Sequence, residues 1–187
     1  DITERKIMVE ERERLTGILE STSDMISTST PNGQLTFMNS AGRALLGWEM
    51  DADLAGTHIP DVHPQWAYDI IEKEGLPIAK DQGVWLGETA IIDLNSDEIP
   101  VSQVIMSHRS PDGKVEYFST IIRDVSGQKR MEAALAASER NYREIFEMSN
   151  DAIFIHDIHG NILDVNQSVL EMFEFSREEA LSSEIQD

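Results

Sequence analysis

Residues 18–39 read ILESTSDMISTSTPNGQLTFMN, and residues 145–166 read IFEMSNDAIFIHDIHGNILDVN. The two stretches align without a gap at an offset of 127 residues, the distance from Asp24 to Asp151. Ile18, Glu20, Asp24, Ile26, Gly33 and Asn39 meet Ile145, Glu147, Asp151, Ile153, Gly160 and Asn166. Leu54 still meets Leu181 in the same register. A repeat of this kind marks a structural unit used twice. A second echo marks the far end of the unit, where Asp1-Ile2-Thr3-Glu4-Arg5-Lys6 reappears as Asp124-Val125-Ser126-Gly127-Gln128-Lys129. The expected organisation is the tail of one unit over 1–14, a complete unit over 15–126, a linker helix over 127–149, and the opening of a further unit over 150–187. Such a chain reads as a cut from a longer array.

Local chemistry turns the repeat into elements. Pro31-Asn32-Gly33 is a turn triplet between two short apolar runs, so 25–30 and 35–38 are predicted to form a hairpin. Asn39 follows at the place of a helix N-cap, because its side-chain oxygen can accept from amides two and three residues on, and Asn166 occupies the same place in the second copy. Helix is expected over 41–46 with Gly47 as its stop, and again over 64–74 with Trp66, Ile70 and Ile71 on one side and Gly75 ending it. Strands are expected over 84–94, 99–108 and 115–125, separated by Asn95-Ser96-Asp97 and Pro111-Asp112-Gly113. The fold class is therefore α+β, with a five-stranded antiparallel sheet, short helices on one face and long amphipathic helices flanking it. In the second flanking helix Met131, Leu135, Ser138, Tyr142 and Ile145 step by heptad spacing. Two readings of that stripe stand side by side: a helix packing on its own domain, and a parallel coiled coil between two chains.

Composition narrows the function. The 187 residues hold 15 Lys+Arg against 35 Asp+Glu, a formal charge of −20, with 40% hydrophobic and 27% charged residues. That balance is globular, and the charge argues against nucleic acid and anionic membrane surfaces as partners. No apolar run approaches the ~20 residues of a membrane span. The absence of cysteine removes disulfides, zinc–thiolate and iron–sulfur sites and any cysteine nucleophile. With no signal peptide at the start, the expected compartment is the cytoplasm. No phosphate loop, metalloprotease helix or nucleophile elbow occurs, so no catalytic residue is assigned. Paired acids such as Glu10-Glu11 and Glu178-Glu179 read as solvated helix faces.

Several short motifs in order resemble a known family. Phe37-Met38-Asn39-Ser40-Ala41, Leu45-Leu46-Gly47-Trp48, Gly56, Val62-His63-Pro64, Trp85-Leu86-Gly87-Glu88, the stretch from Asn95 to Val101, and Asp124-Val125-Ser126 together resemble the PAS domain of the sensory-box type. The chain departs from that pattern at Asp97-Glu98, at Ser126-Gly127, and at Asp164, which stands where the first copy has Phe37. The resemblance implies a sensory and dimerising module of a multidomain signalling protein, without catalysis of its own. A downstream output domain would lie in the same parent chain, a two-component histidine kinase first, a diguanylate cyclase or phosphodiesterase second.

The same resemblance implies a cavity between sheet and central helix that in relatives holds haem, flavin, an acid or nothing. His63 is the candidate haem ligand, against the plainer reading that His63-Pro64 only opens a helix. Trp66 and Trp85 are candidate stacking partners for non-covalent flavin, against core or interface packing. Met106 and His108 are further cavity candidates, on a strand whose two faces are both too apolar to choose between. No cofactor is the first expectation, and a small-molecule ligand stays open. His156 and His159 flank a turn, where solvent exposure is preferred to a metal site. Asp124 and Ser126 stand where the family joins its sheet to the outgoing helix, so Asp124 is expected to hold that junction by a hydrogen bond or ion pair. Met131, Leu135, Tyr142 and Ile145 are the expected dimer contacts. The alternative function is an unliganded spacer that only dimerises and transmits.

Overall fold

The computed structural model describes residues 2–183; Asp1 of the opening echo lies outside them. The chain divides into two compact units, 1–127 and 128–187.

The first unit begins with helix α1 (Ile2–Ser21), followed by strands β1 (Met25–Ser29) and β2 (Leu35–Met38) and helix α2 (Ser40–Leu46). A 3₁₀ turn (Ile59–Val62) leads into α3 (Gln65–Ile70), a π turn (Ile71–Gly75) and α4 (Leu76–Gln82). Strands β3 (Val84–Ile92), β4 (Glu98–Arg109) and β5 (Val115–Asp124) complete it. The five strands are antiparallel in the order β2-β1-β5-β4-β3. The core lies between the sheet and the short helices, with Met25, Leu46, Ile71, Ile91, Ile105 and Ile122 fully enclosed.

One expectation about the helices fails. The central helix does not end at Gly75; the chain stays helical to Gln82. Gly75 has ordinary right-handed helical angles, and a Cβ there would meet Ile105 Cδ1 at 3.2 Å and the Trp85 ring at 3.3 Å. Its glycine serves close approach of helix to sheet, not a stop. The stop is Gly83, at φ +94°. The π turn sits just before Pro77, whose missing N–H and bulky ring a regular ladder does not accommodate.

Asn39 ties this unit together. Its Oδ1 accepts from Ile26 N at 2.9 Å and Gly42 N at 3.0 Å, and its Nδ2 donates to Leu19 O at 2.9 Å and Asp24 O at 3.0 Å. One buried amide thus serves the end of α1, the start of β1 and the N-terminus of α2. Beside it Ser40 N donates to the Glu20 carboxylate at 2.7 Å.

The second unit carries most of helix α5 (Ser126–Met148), then strands β6 (Phe154–His156) and β7 (Ile162–Val165) and helices α6 (Gln167–Phe173) and α7 (Arg177–Leu181). Asn166 repeats the arrangement: its Oδ1 accepts from Ile153 N at 2.9 Å and Val169 N at 3.3 Å, and its Nδ2 donates to Asp151 O at 2.8 Å. Gln167 N donates to Glu147 at 2.9 Å, the counterpart of Ser40 and Glu20. Ile162 and Val165, on β7, are buried together with Val169 and Ala180 in a small core. Asp164, in the place of Phe37, receives Arg143 at 3.1 Å and Arg177 at 2.7 Å, and Arg177 also meets Glu147 at 2.8 Å. Salt bridges therefore occupy the place where the first copy has an aromatic side chain.

Removing four hydrogen bonds with Asn39→Ala is expected to cost about 4 kcal/mol, at roughly 1 kcal/mol per bond after solvent exchange. Asn39→Asp keeps the two acceptor bonds and loses the two donor bonds, so its cost is expected to fall between. Urea unfolding of the three proteins checks the order; equal stability of the wild type and Asn39→Ala would refute it.

Candidate functional site

The inner face of the sheet follows from period two along the strands. On β4, Val101, Gln103 and Ile105 are buried and face the helices. Ser107 continues that face, its hydroxyl donating to Ala79 O at 2.7 Å. On β1 and β5 the matching residues are Met25, Ser27 and Ser29, and Phe118, Thr120 and Ile122.

Between this face and the helices lies a cavity of about 20 Å³. His63, Gln103, Ser27, Ser29 and Thr120 give it polar groups, and side chains such as Ile71 and Ile105 give it apolar walls. Among the described residues no charged side chain lines it. The His63 ring is buried, with Nδ1 at 2.7 Å from Ile59 O. A carbonyl oxygen only accepts, so Nδ1 carries the proton and donates. Nε2 is then a lone-pair acceptor, and it is buried without a partner among the described residues. Burial holds the ring at a pKa of about 4, below its ordinary 6.5, against the opposing pull of the Ile59 carbonyl. Gln103 is held in place by the Thr89 hydroxyl, which donates to its carbonyl oxygen at 2.7 Å.

The five cavity candidates separate. His63 lines the cavity; Trp66, Trp85, Met106 and His108 do not. Trp66 is 48% exposed and donates through Nε1 to Glu98 at 3.0 Å, so it does not share the inward side with Ile71. Trp85 is core, its ring lying where a Cβ on Gly87 would come, with Nε1 3.5 Å from Glu74. Met106 and His108 fall on the outer face of β4, out of phase with Gln103 and Ile105. There His108 stacks on Tyr117 with ring centroids 4.3 Å apart and pairs with the Ser119 hydroxyl at 2.7 Å.

The cofactor expectations meet the geometry unevenly. A ring that donates Nδ1–H to a carbonyl and leaves Nε2 bare has the arrangement of a metal-ligating histidine. The space does not fit: about 20 Å³ is room on the scale of a water molecule. A porphyrin or an isoalloxazine does not enter a cavity of that size. His156 and His159 stay on the hairpin turn, where Asp157 Oδ1 accepts from His159 N at 2.8 Å. Among the described residues no group of three or more metal-ligating side chains is assembled.

At the end of the sheet, Asp124 Oδ1 accepts from Ser126 N at 2.7 Å, the first amide of α5. One residue earlier, Arg123 holds Asp24 through Nε at 3.1 Å and Nη2 at 2.8 Å. Sequence reasoning missed this pair, which joins the entry of β1 to the exit of β5 across 99 positions. No spacing rule marks two residues that far apart, although Asp24 was visible as part of the repeat. On α5, Met131, Leu135, Tyr142 and Ile145 are 49–70% exposed, while Phe146 is buried.

Family models recognise two segments of this chain, one described as the PAS fold over residues 13–125 and one as a PAS domain over residues 140–187. Sporulation kinase E of Bacillus subtilis (strain 168) is 41% identical over 58 residues, which is 31% of this chain and 8% of that protein. The chain therefore spans less than a tenth of that relative. Among solved structures, the PAS domain of a protein from Colwellia psychrerythraea matches with a TM-score of 0.57 at 16% identity, over 64% of this chain and 98% of that one. A sensory box histidine kinase/response regulator from Burkholderia thailandensis matches with a TM-score of 0.54 at 14% identity, over 70% and 98%. At these identities the structural matches speak to the fold alone.

The buried histidine generates a pH dependence. With its folded pKa below the unfolded value, the unfolded chain binds a proton that the folded chain refuses. Stability is expected to fall by about 3 kcal/mol as pH drops from 6.5 to about 4. His63→Phe is expected to flatten that part of the slope while the carboxylate contributions persist. Urea unfolding at intervals of pH checks it, and parallel slopes in the two proteins would count against a buried neutral ring.

Proposed function

The chain belongs to the PAS family, and on that premise we propose that it is a dimerising relay module of a multidomain signalling protein. It is a PAS sensory domain of the kind found in signalling proteins such as histidine kinases. In the proposed reading, residues 15–126 are a complete sensory unit, 127–149 a linker helix and 150–187 the opening of a further unit. The parent is proposed to be a histidine kinase acting in the cytoplasm, with its catalysis in an output domain elsewhere in the chain.

The observation that carries the relay is the hydrogen bond from Ser126 N to Asp124. β5 pairs with both β1 and β4, so it feels any change in the sheet above the cavity. Its last carboxylate holds the first amide of α5, so a shift of the strand end moves the start of the helix. The Arg123–Asp24 pair braces the same corner, Asp24 standing just after the end of α1.

The observation that supports pairing is the exposed heptad stripe. Four apolar side chains at that spacing on a water-facing helix leave surface that a second parallel copy would cover. No helix among the described residues is long and apolar enough to cross a membrane. The small cavity favours the second reading, an unliganded spacer that dimerises and transmits.

Two measurements test the relay. Sedimentation equilibrium is expected to give twice the 21.0 kDa chain mass for the wild type and the single-chain mass for Leu135→Glu. A wild type that stays at the single-chain mass removes the dimer. In hydrogen exchange, Asp124→Ala is expected to speed the first-turn amides of α5 while those of Gln103 and Ile105 keep their protection, with a stability loss of about 1 kcal/mol. Loss of protection throughout the sheet would make Asp124 a folding residue and sink its relay role.

A further inference from the structure

Several cations of this acidic chain stand against carboxylates. Lys73 meets Asp69 at 2.7 Å, Arg123 meets Asp24 at 2.8 Å and Arg177 meets Asp164 at 2.7 Å. At the end of β4 and β5 away from Asp124 the pattern breaks. An open cleft of about 430 Å³ lies there, between the end of α4, the β1–β2 turn and the β4–β5 turn. Lys80, Arg109 and Lys114 line it, and among the described residues no acidic side chain does.

Arg109 is pinned by backbone oxygens instead: Nη1 donates to Gly113 O at 2.7 Å and Nη2 donates to Lys80 O. A carbonyl leaves the guanidinium charge uncancelled, and the remaining N–H donors stay available. Neither Arg109 nor Lys80 meets a carboxylate among the described residues. Lys114 reaches Asp112 at 3.6 Å, an exposed pair of the kind that contributes little. Three like charges thus converge on one cleft of a chain whose formal charge is −20.

These features narrow the occupant. An anion relieves the repulsion among the cations. The chain's overall charge repels an extended polyanion, whereas a small anion meets chiefly the charges within a screening length of about 8–10 Å. A guanidinium held by two elements loses little freedom on binding, and its fork matches adjacent oxygens of a phosphate or carboxylate. The other side chains of the lining, Pro31, Val115 and Phe118, are apolar. A dicarboxylate would press its second charge on that wall. A phosphate monoester carries both charges on one head and leaves an apolar body for the wall, in a space of the size small ligands occupy.

We propose that this cleft binds a small organic phosphate monoester, with its phosphoryl oxygens on Arg109, Lys80 and Lys114 and its apolar body against Pro31, Val115 and Phe118. The site shares no lining residue with the His63 cavity and stands independently of the dimer and the relay.

The test titrates phenyl phosphate into the whole ¹⁵N-labelled 187-residue chain at low salt and about pH 7.5, where the ester is doubly charged. Saturable shifts are expected at the amides of Gly113 and Lys114 and at Nε of Arg109. Lys80→Gln and Lys114→Gln change exposed side chains that the core does not need, and each is expected to weaken binding about fivefold. Inorganic phosphate, which has no apolar body, and succinate, which has no phosphoryl head, are each expected to bind about fivefold more weakly than phenyl phosphate. No saturable shift, or one that both substitutions leave unchanged, overturns the site. Inorganic phosphate binding as tightly as phenyl phosphate overturns the organic ester, and succinate doing so overturns the phosphate head. The relay is read from other signals, the α5 amides of Asp124→Ala and the oligomeric state, so the two failures are separable.

Discussion

The side chain of Asn39 is the joint on which the first unit turns. Four hydrogen bonds converge on one buried amide, from the last turn of α1, from both ends of the link into β1, and from the N-terminus of α2. A helix end leaves carbonyls unmet and a helix start leaves amides unmet, and a carboxamide answers both because it donates from one end and accepts at the other. Alanine offers neither, and aspartate offers only the acceptor. The hub thereby fixes the entry of β1, the strand that lies between β2 and β5. Asn166 makes three of the same bonds at the same offset in the second unit.

The other end of the sheet is governed by charge and short-range turns. Asp24 leaves the Asn39 hub through its backbone carbonyl and reaches Arg123 through its side chain. Arg123 is followed by Asp124, whose carboxylate starts α5. The incoming helix, the central strand pair and the outgoing helix thus meet within a few residues at one corner.

Much of this was legible in the residues. The repeat, the Pro31-Asn32-Gly33 hairpin, the Asn39 cap and the left-handed Gly47 stop are local, and each is encoded within a few positions. The five strands and their antiparallel sense followed from turn chemistry and from the family resemblance, whereas their order in the sheet did not. Gly75 misled because glycine serves two purposes, ending helices and allowing close approach, and only the position of Trp85 and Ile105 decides between them. Met106 and His108 misled because β4 is apolar on both faces. Its phase is set by which residues meet the helices, and that is a fact about packing.

Sequence by itself therefore determined the unit, its repetition, its caps and its family, because these depend on neighbours along the chain and on patterns with a short period. Tertiary structure alone decided which side of β4 is inward, that Asp24 would find Arg123, and that Asp164 would be answered by Arg143 and Arg177. It alone decided that one nitrogen of His63 would be enclosed away from every partner among the described residues. The physical reason is common to all four. Burial and long-range pairing are properties of the folded contact set, and a residue's solvent and electrostatic surroundings exist only after distant segments have closed around it.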